Sequence, residues 1–162
     1  MGRKFEKISF EQFSKDIKDD VELYNSYNIP VRKTKASAGY DFEALEDYVI
    51  KPNEFLTVPT GINAKFNEDE VLLIVVRGSM GYKYNIRMTN QVGVIDSDYY
   101  NNPINGGHLF LKMQNEGKEV YKIKKGQGIA QGIFMKYLTT DDEIEITTER
   151  NGGFGSTNKE EK

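Results

Sequence analysis

The chain contains no cysteine. Disulfides, thiolate zinc sites and cysteine nucleophiles are therefore excluded. It has one histidine, His108, and no Ser–His pair is indicated by spacing. A structural or surface role is the stronger reading of that residue. Charge of one sign is also missing: 22 basic and 25 acidic residues are well mixed, for a net charge of −3. That balance argues against a surface built to neutralise long nucleic acid, although a small basic pocket for one phosphate group stays open. No window approaches the roughly 18 apolar residues of a membrane span. The opening "MGRKFEKISF" lacks the apolar stretch of a signal peptide. The expectation is a soluble, cytoplasmic protein with neither nucleic acid nor membrane as partner. At 162 residues it is most simply one domain with a real core.

What is present reads mainly as β. The exception is Ser9–Asp20, where Ser9 and Gln12 have capping-box spacing and Phe10, Phe13 and Ile17 recur at helical intervals. Residues 21–37 read as extended or looped. From Tyr48 onward short apolar runs are separated by turn signals such as Pro52-Asn53 and Lys125-Gly126. The run Val71–Arg77 is continuous enough for a strand buried on both faces. "HLFLKMQ", "EVYKIKK", "GIAQGIFMKYL" and "EIEITTE" follow as further strands. There is no alternation with helices, so a Rossmann-like sheet is disfavoured. The predicted fold is all-β, a jelly-roll-like barrel or sandwich with a short N-terminal helix. Its single domain spans residues 1–149, of which 1–29 form an extension. Residues 150–162 have one large apolar side chain, Phe154, and are expected to form a mobile Gly-rich arm.

Several segments carry chemistry. "NQVGVIDSDYYNN" (Asn90–Asn102) crowds acids and aromatics behind an apolar run. An EF-hand fails there, because its fifth and sixth positions would be Tyr100 and Asn101. "KKGQGIAQG" begins like a dinucleotide fingerprint but has Gln131 at the sixth position and lies between strands. "VVRGSMGYK" ends a strand in Arg77 and glycines, which is either a phosphate cradle or a glycine-rich turn with a solvated Arg. "RNGGFGST" repeats that chemistry in the tail. Its Phe154 has a purpose if it closes over a ring.

In order along the chain, "AGYDFEA", "VRGSMG", "NQVGVIDSDYYN", "GQGIAQGIF" and "RNGGFGST" resemble the five motifs of the trimeric dUTPase family. The resemblance covers Pro30 to the C-terminus. It implies hydrolysis of dUTP to dUMP and pyrophosphate, with Mg2+ as cofactor. Asp96 then corresponds to the carboxylate that orients and deprotonates the attacking water. Tyr99 corresponds to the aromatic under the deoxyribose, which excludes a 2′-hydroxyl. Asn90, with Gly93 beyond it, belongs to the hairpin that reads uracil. Asp41 corresponds to the acid holding a water of the magnesium shell. Arg77, Gly78, Ser79 and Gln131 correspond to phosphate-side contacts. Arg150, Phe154, Gly155, Ser156 and Thr157 correspond to the arm that closes over the nucleotide. A homotrimer with shared sites is implied.

The match is imperfect. Gly78 stands where the family has a hydroxyl, Gly128 where a charge is common, and Arg150 is one residue nearer Phe154. The tail reads Ser-Thr-Asn, and residues 101–107 form a longer link after Tyr99. Asp98 and Tyr100 receive no role and are expected to point away from the nucleotide. A dCTP deaminase has a similar fold, but "IDSDYY" fits it less well. A nucleotide-sensing module with weak turnover, engaging an unidentified protein partner, is the alternative from another class.

Overall fold

A computed structural model describes residues 2–155. Fourteen strands and helices and one 3-10 turn build it. A 4-stranded sheet has the order β2 (Tyr40–Glu43), β11 (Gly128–Lys136), β6 (Glu70–Val76), β8 (Gly93–Asp96). A 3-stranded sheet has the order β4 (Phe55–Pro59), β9 (Phe110–Asn115), β7 (Ile86–Met88). Two short pairs complete the β structure: β1 (Lys4–Lys7) with β5 (Ile62–Lys65), and β10 (Tyr121–Ile123) with β3 (Tyr48–Ile50). The pairings between these strands are antiparallel. The result is the expected mostly-β sandwich of jelly-roll type.

The core lies between the sheets. Phe42, Ile50, Val58, Leu72, Ile74, Leu111, Met113 and Ile129 are each no more than 1% exposed. Strand β6 supplies Leu72 and Ile74 to it, while Val71, Leu73 and Val75 on the other face are half-buried. Residues 71–77 therefore alternate instead of being buried on both faces as their composition predicts. The face away from the core is only partly covered within one chain.

Helix α1 (Phe10–Asp16) starts as expected, with the Ser9 hydroxyl accepting from the Gln12 amide at 3.1 Å. Phe13 is fully buried, but Phe10 is exposed, stacking on Phe13 and meeting the edge of Tyr24. The helix ends at Asp16, short of the predicted Asp20. A second helix, α2 (Val21–Ser26), replaces the expected extended segment. Asp20 caps it by accepting from the Leu23 amide at 2.9 Å, and Leu23 is buried. An Asx cap plus one buried anchor outweighs the short, weakly periodic sequence.

Helix α3 (Gly78–Tyr84) is likewise unforeseen. It follows β6 directly, and Met80 anchors it in the core. "EIEITTE" is not a strand among the described residues. Ile144 and Ile146 remain exposed, since a strand without a partner edge leaves its backbone groups to water.

Candidate functional site

The sheet separates the predicted residues into two groups. At one end, β6 runs out at Val76 and Arg77 begins the turn into α3. Asp41 on β2 faces Gln131 on β11, and Gln131 faces Val75 on β6. These neighbours bring the Arg77 Nε atom to 3.3 Å from Asp41 Oδ2. The Gln131 amide donates to the Val76 carbonyl at 3.4 Å. Asp41 is only 7% exposed, yet its Oδ2 has no hydrogen-bond partner. Gly78 and Ser79 occupy the first turn of α3, where backbone N–H groups have no intrahelical acceptor. A β-carbon at Gly39 would collide with the Gln131 side chain, which accounts for glycine just ahead of Asp41. Gly128 brings backbone against the Arg77 side chain, where a β-carbon would lie 3.0 Å from Cδ.

The other group lies along β8. Strand β7 turns through residues 89–92 into β8, with Gln91 at φ 66° making the reversal. Gly93 pairs with Ile74, and a side chain there would press on Ile74 Cβ at 3.4 Å. A cavity of about 380 Å³ follows, lined by Asn90, Gly93, Ile95, Phe110 and Phe154 among others. An adjoining cavity of about 190 Å³ is lined by Asp96, Tyr99, Arg150, Gly153, Phe154 and Gly155. Mostly apolar walls with a few polar groups at the mouth suit a small flat ring.

Asp96 ends β8 and Tyr99 closes the 3-10 turn Ser97–Tyr99. Tyr99 is buried, and desolvation raises its phenol above the ordinary value. Its hydroxyl donates to the His108 carbonyl at 3.0 Å and accepts from Asn105 Nδ2 at 2.8 Å. Arg150 reaches in from the arm. Its Nη2 lies 2.6 Å from Asp96 Oδ2 and its Nε 2.7 Å from Asp98 Oδ1. The Asp98 hydrogen bond is the first cause of the raised Arg150 pKa. Asp98 is thereby paired with the arm, a role the sequence did not assign to it. Nothing in the local sequence signals this, since its partner is 52 residues away. Tyr100 donates to Glu6 at 2.7 Å. The predicted Ser156 and Thr157 lie outside the described residues.

His108 is structural. It is fully buried, its Nδ1 lies 2.7 Å from Asp16 Oδ2, and its Nε2 accepts from the Gly61 amide at 2.9 Å. An accepting Nε2 fixes the proton on Nδ1 and the ring as neutral. Burial lowers its pKa, and the Asp16 contact only partly opposes this.

The two groups do not meet within one chain. Asp96 pairs with Val71 at the start of β6, whereas Arg77 follows its end. Six residues of extended chain separate those positions, about 20 Å.

Comparison with known proteins agrees with this architecture. A family model described as dUTPase matches residues 25–158. The deoxyuridine 5′-triphosphate nucleotidohydrolase of Lactococcus lactis subsp. lactis is 48% identical over 131 residues, covering 80% of this chain and 87% of that protein. Its counterpart from Haemophilus influenzae is 32% identical over 148 residues, covering 87% and 94%. The crystal structure of dUTPase from Streptococcus mutans superposes with a TM-score of 0.68 at 36% identity, covering 85% of this chain and 98% of that one. This chain belongs to the dUTPase family. Within that family it is an enzyme, a dUTP diphosphatase.

Proposed function

We infer that the chain hydrolyses dUTP to dUMP and pyrophosphate by attack of an Asp96-activated water on the α-phosphate. Hydrolysis of dUTP itself follows from family membership. The observation that carries the mechanism is the cavity along β8, with Asn90 at one end and Asp96 and Tyr99 at the other. Uracil enters beside the Asn90 hairpin, where fixed backbone donors and acceptors penalise cytosine by leaving polar groups unpaired. Tyr99 packs beneath the sugar and leaves no space for a 2′-hydroxyl. Phe154 covers the base.

Asp96 keeps a side chain 55% exposed, and Arg150 occupies only its Oδ2. Its other oxygen is free to hold a water and take its proton, a contribution of roughly a hundred- to ten-thousand-fold. Arg77, the Gly78 and Ser79 amides and Gln131 receive the phosphates. In-line positioning and charge stabilisation then carry most of the rate enhancement.

The residues present fit Mg2+ held by the triphosphate. Among the described residues no three acidic or histidine side chains cluster, whereas Asp41 offers a buried Oδ2 that forms an ion pair with Arg77 but accepts no hydrogen bond. A magnesium ion that keeps its waters needs one such outer acceptor, not a protein cage. When bound, it neutralises charge on the phosphates. Asp41 would hold one of its waters, and Arg77 would keep Asp41 in place.

The gap between the groups supports a homotrimer with shared sites. The Asp96 and Tyr99 half of one subunit meets the Arg77 half of another. Pyrophosphate release from dUTP, dCTP, dTTP and UTP with magnesium tests the reading. Release from dUTP alone, absent in Asp96→Asn, is expected. Equal release from the variant overturns the assignment of the base.

A further inference from the structure

The link after Tyr99 and the N-terminal extension are built into each other. Asn102 folds residues 102–105 onto themselves: its Oδ1 accepts from the Ile104 and Asn105 amides at 3.2 Å, and its Nδ2 donates to the Tyr99 carbonyl at 3.0 Å. Asn105 is oriented in turn. Its Oδ1 accepts from Asn102 Nδ2 at 2.7 Å and from the Gly107 amide at 3.1 Å. Those two contacts fix which end of the amide is nitrogen. That nitrogen donates to the Tyr99 hydroxyl at 2.8 Å. The hydroxyl's own proton goes to the His108 carbonyl. Tyr99 is thereby tethered from both sides of its oxygen.

The far end of the link is pinned by α1. Gln12 Nε2 holds Asp16 Oδ2 at 2.8 Å, and Asp16 holds the buried His108 ring. A β-carbon at Gly106 would lie 3.8 Å from Gln12 Cγ, so helix and link are in close contact.

We propose that Asn105 is a positioning residue for Tyr99, and that α1, through Asp16 and His108, anchors the link that carries it, so that selection of deoxyribose over ribose depends on the N-terminal extension. This rests on Tyr99 being the sugar-facing aromatic. The physical reason is tolerance. Rejecting one hydroxyl requires a ring that cannot retreat by a fraction of an ångström, and a phenol held by two hydrogen bonds cannot. Asn105 touches neither base nor phosphate in this scheme, so its loss affects selectivity more than turnover.

A double-mutant cycle on the ratio of kcat/KM for dUTP to that for UTP tests the proposal. Asn105→Ala is expected to lower the ratio by about three- to tenfold, the worth of one buried hydrogen bond, with kcat for dUTP little changed. Tyr99→Phe removes the tethered oxygen with minimal disturbance and is expected to lower the ratio similarly. The double variant should match Tyr99→Phe, because Asn105→Ala breaks one of the two contacts that Tyr99→Phe already removes. Additive losses would assign Asn105 to loop folding alone and overturn the proposal. An unchanged ratio in Tyr99→Phe would also overturn it, and this variant serves where Asn105→Ala does not fold. Asp16→Ala should lower the ratio, and an unchanged ratio there refutes the role of α1. Tyr99→Ala separates the two levels. If it leaves UTP rejection intact, the sugar-facing role of Tyr99 fails; if it abolishes rejection while Asn105→Ala leaves the ratio unchanged, only the tether fails.

Discussion

Single residues decide whether the site works and whether the loop around it holds. Gly78 carries no hydroxyl, but the space for one is there: a β-carbon would meet nothing within 4 Å. Gly78→Ser is expected to fold normally and to raise kcat by about tenfold, as one added hydrogen bond near developing charge would. Steady-state pyrophosphate release checks it. Gly107 is the opposite case. It has φ +77°, and a β-carbon would collide with Asn63 Oδ1 and lie 2.6 Å from the Asn101 amide. Gly107→Ala should cost about 2–4 kcal/mol, read from the urea midpoint. His108 makes stability pH-dependent. Its folded-state pKa is below the ordinary 6.5, so the unfolded chain takes up the proton first. Stability is full above about pH 6.5 and falls as the pH drops below it, levelling once the folded form also protonates. His108→Gln, although less stable, should show a flatter urea-midpoint profile between about pH 7.5 and 5.5.

At the level of elements, α1 is held by packing rather than by propensity. It has only 7 residues, too few to persist alone. Phe13 is fully buried against Tyr24 and Tyr27. Phe13→Ala should lower stability by about 3–5 kcal/mol and release α1 from the sandwich. The arm is different. Among its described residues the ion pairs of Arg150 to Asp96 and Asp98 are its charged anchors. Deleting residues 150–162 is expected to leave thermal unfolding nearly unchanged and to reduce turnover by a hundredfold or more, an order-of-magnitude figure for losing closure and water exclusion.

At the scale of the molecule, the two groups stand at opposite ends of β6, so one chain is an incomplete catalyst in this scheme. Asp96→Asn and Arg77→Ala chains should each be nearly inactive. Mixed and refolded together, they should regain activity, because some shared sites receive Asp96 from one chain and Arg77 from the other. No recovery would refute shared sites. In the same scheme the exposed Ile144 and Ile146, in an apolar segment without a strand partner of its own, would pack against another subunit.

Turn signals, the five motifs and most strands after Tyr48 were legible in the sequence because each depends on neighbours only a few residues apart, whereas β1, β2 and β7 were not foreseen and "EIEITTE" formed no strand. Short apolar runs set off by turn signals located β9 and β11, and Ser9 located the start of α1. The role of "NQVGVIDSDYYNN" was legible only by resemblance; its own residues excluded an EF-hand and went no further. Helices α2 and α3 escaped because each needs a tertiary anchor, Leu23 or Met80, to outweigh weak propensity. Asp98, Asn105 and Asp16 escaped for a related reason. Their partners are Arg150, the Tyr99 hydroxyl and His108, and the separations of 52 and 92 residues for Asp98 and Asp16 leave no local pattern. The sequence by itself determined the chemistry available: no thiol, one histidine, a carboxylate behind an apolar strand, and arginines among glycines. The tertiary structure alone decided which groups meet, because long-range pairing of strands, not spacing along the chain, sets the distances between them.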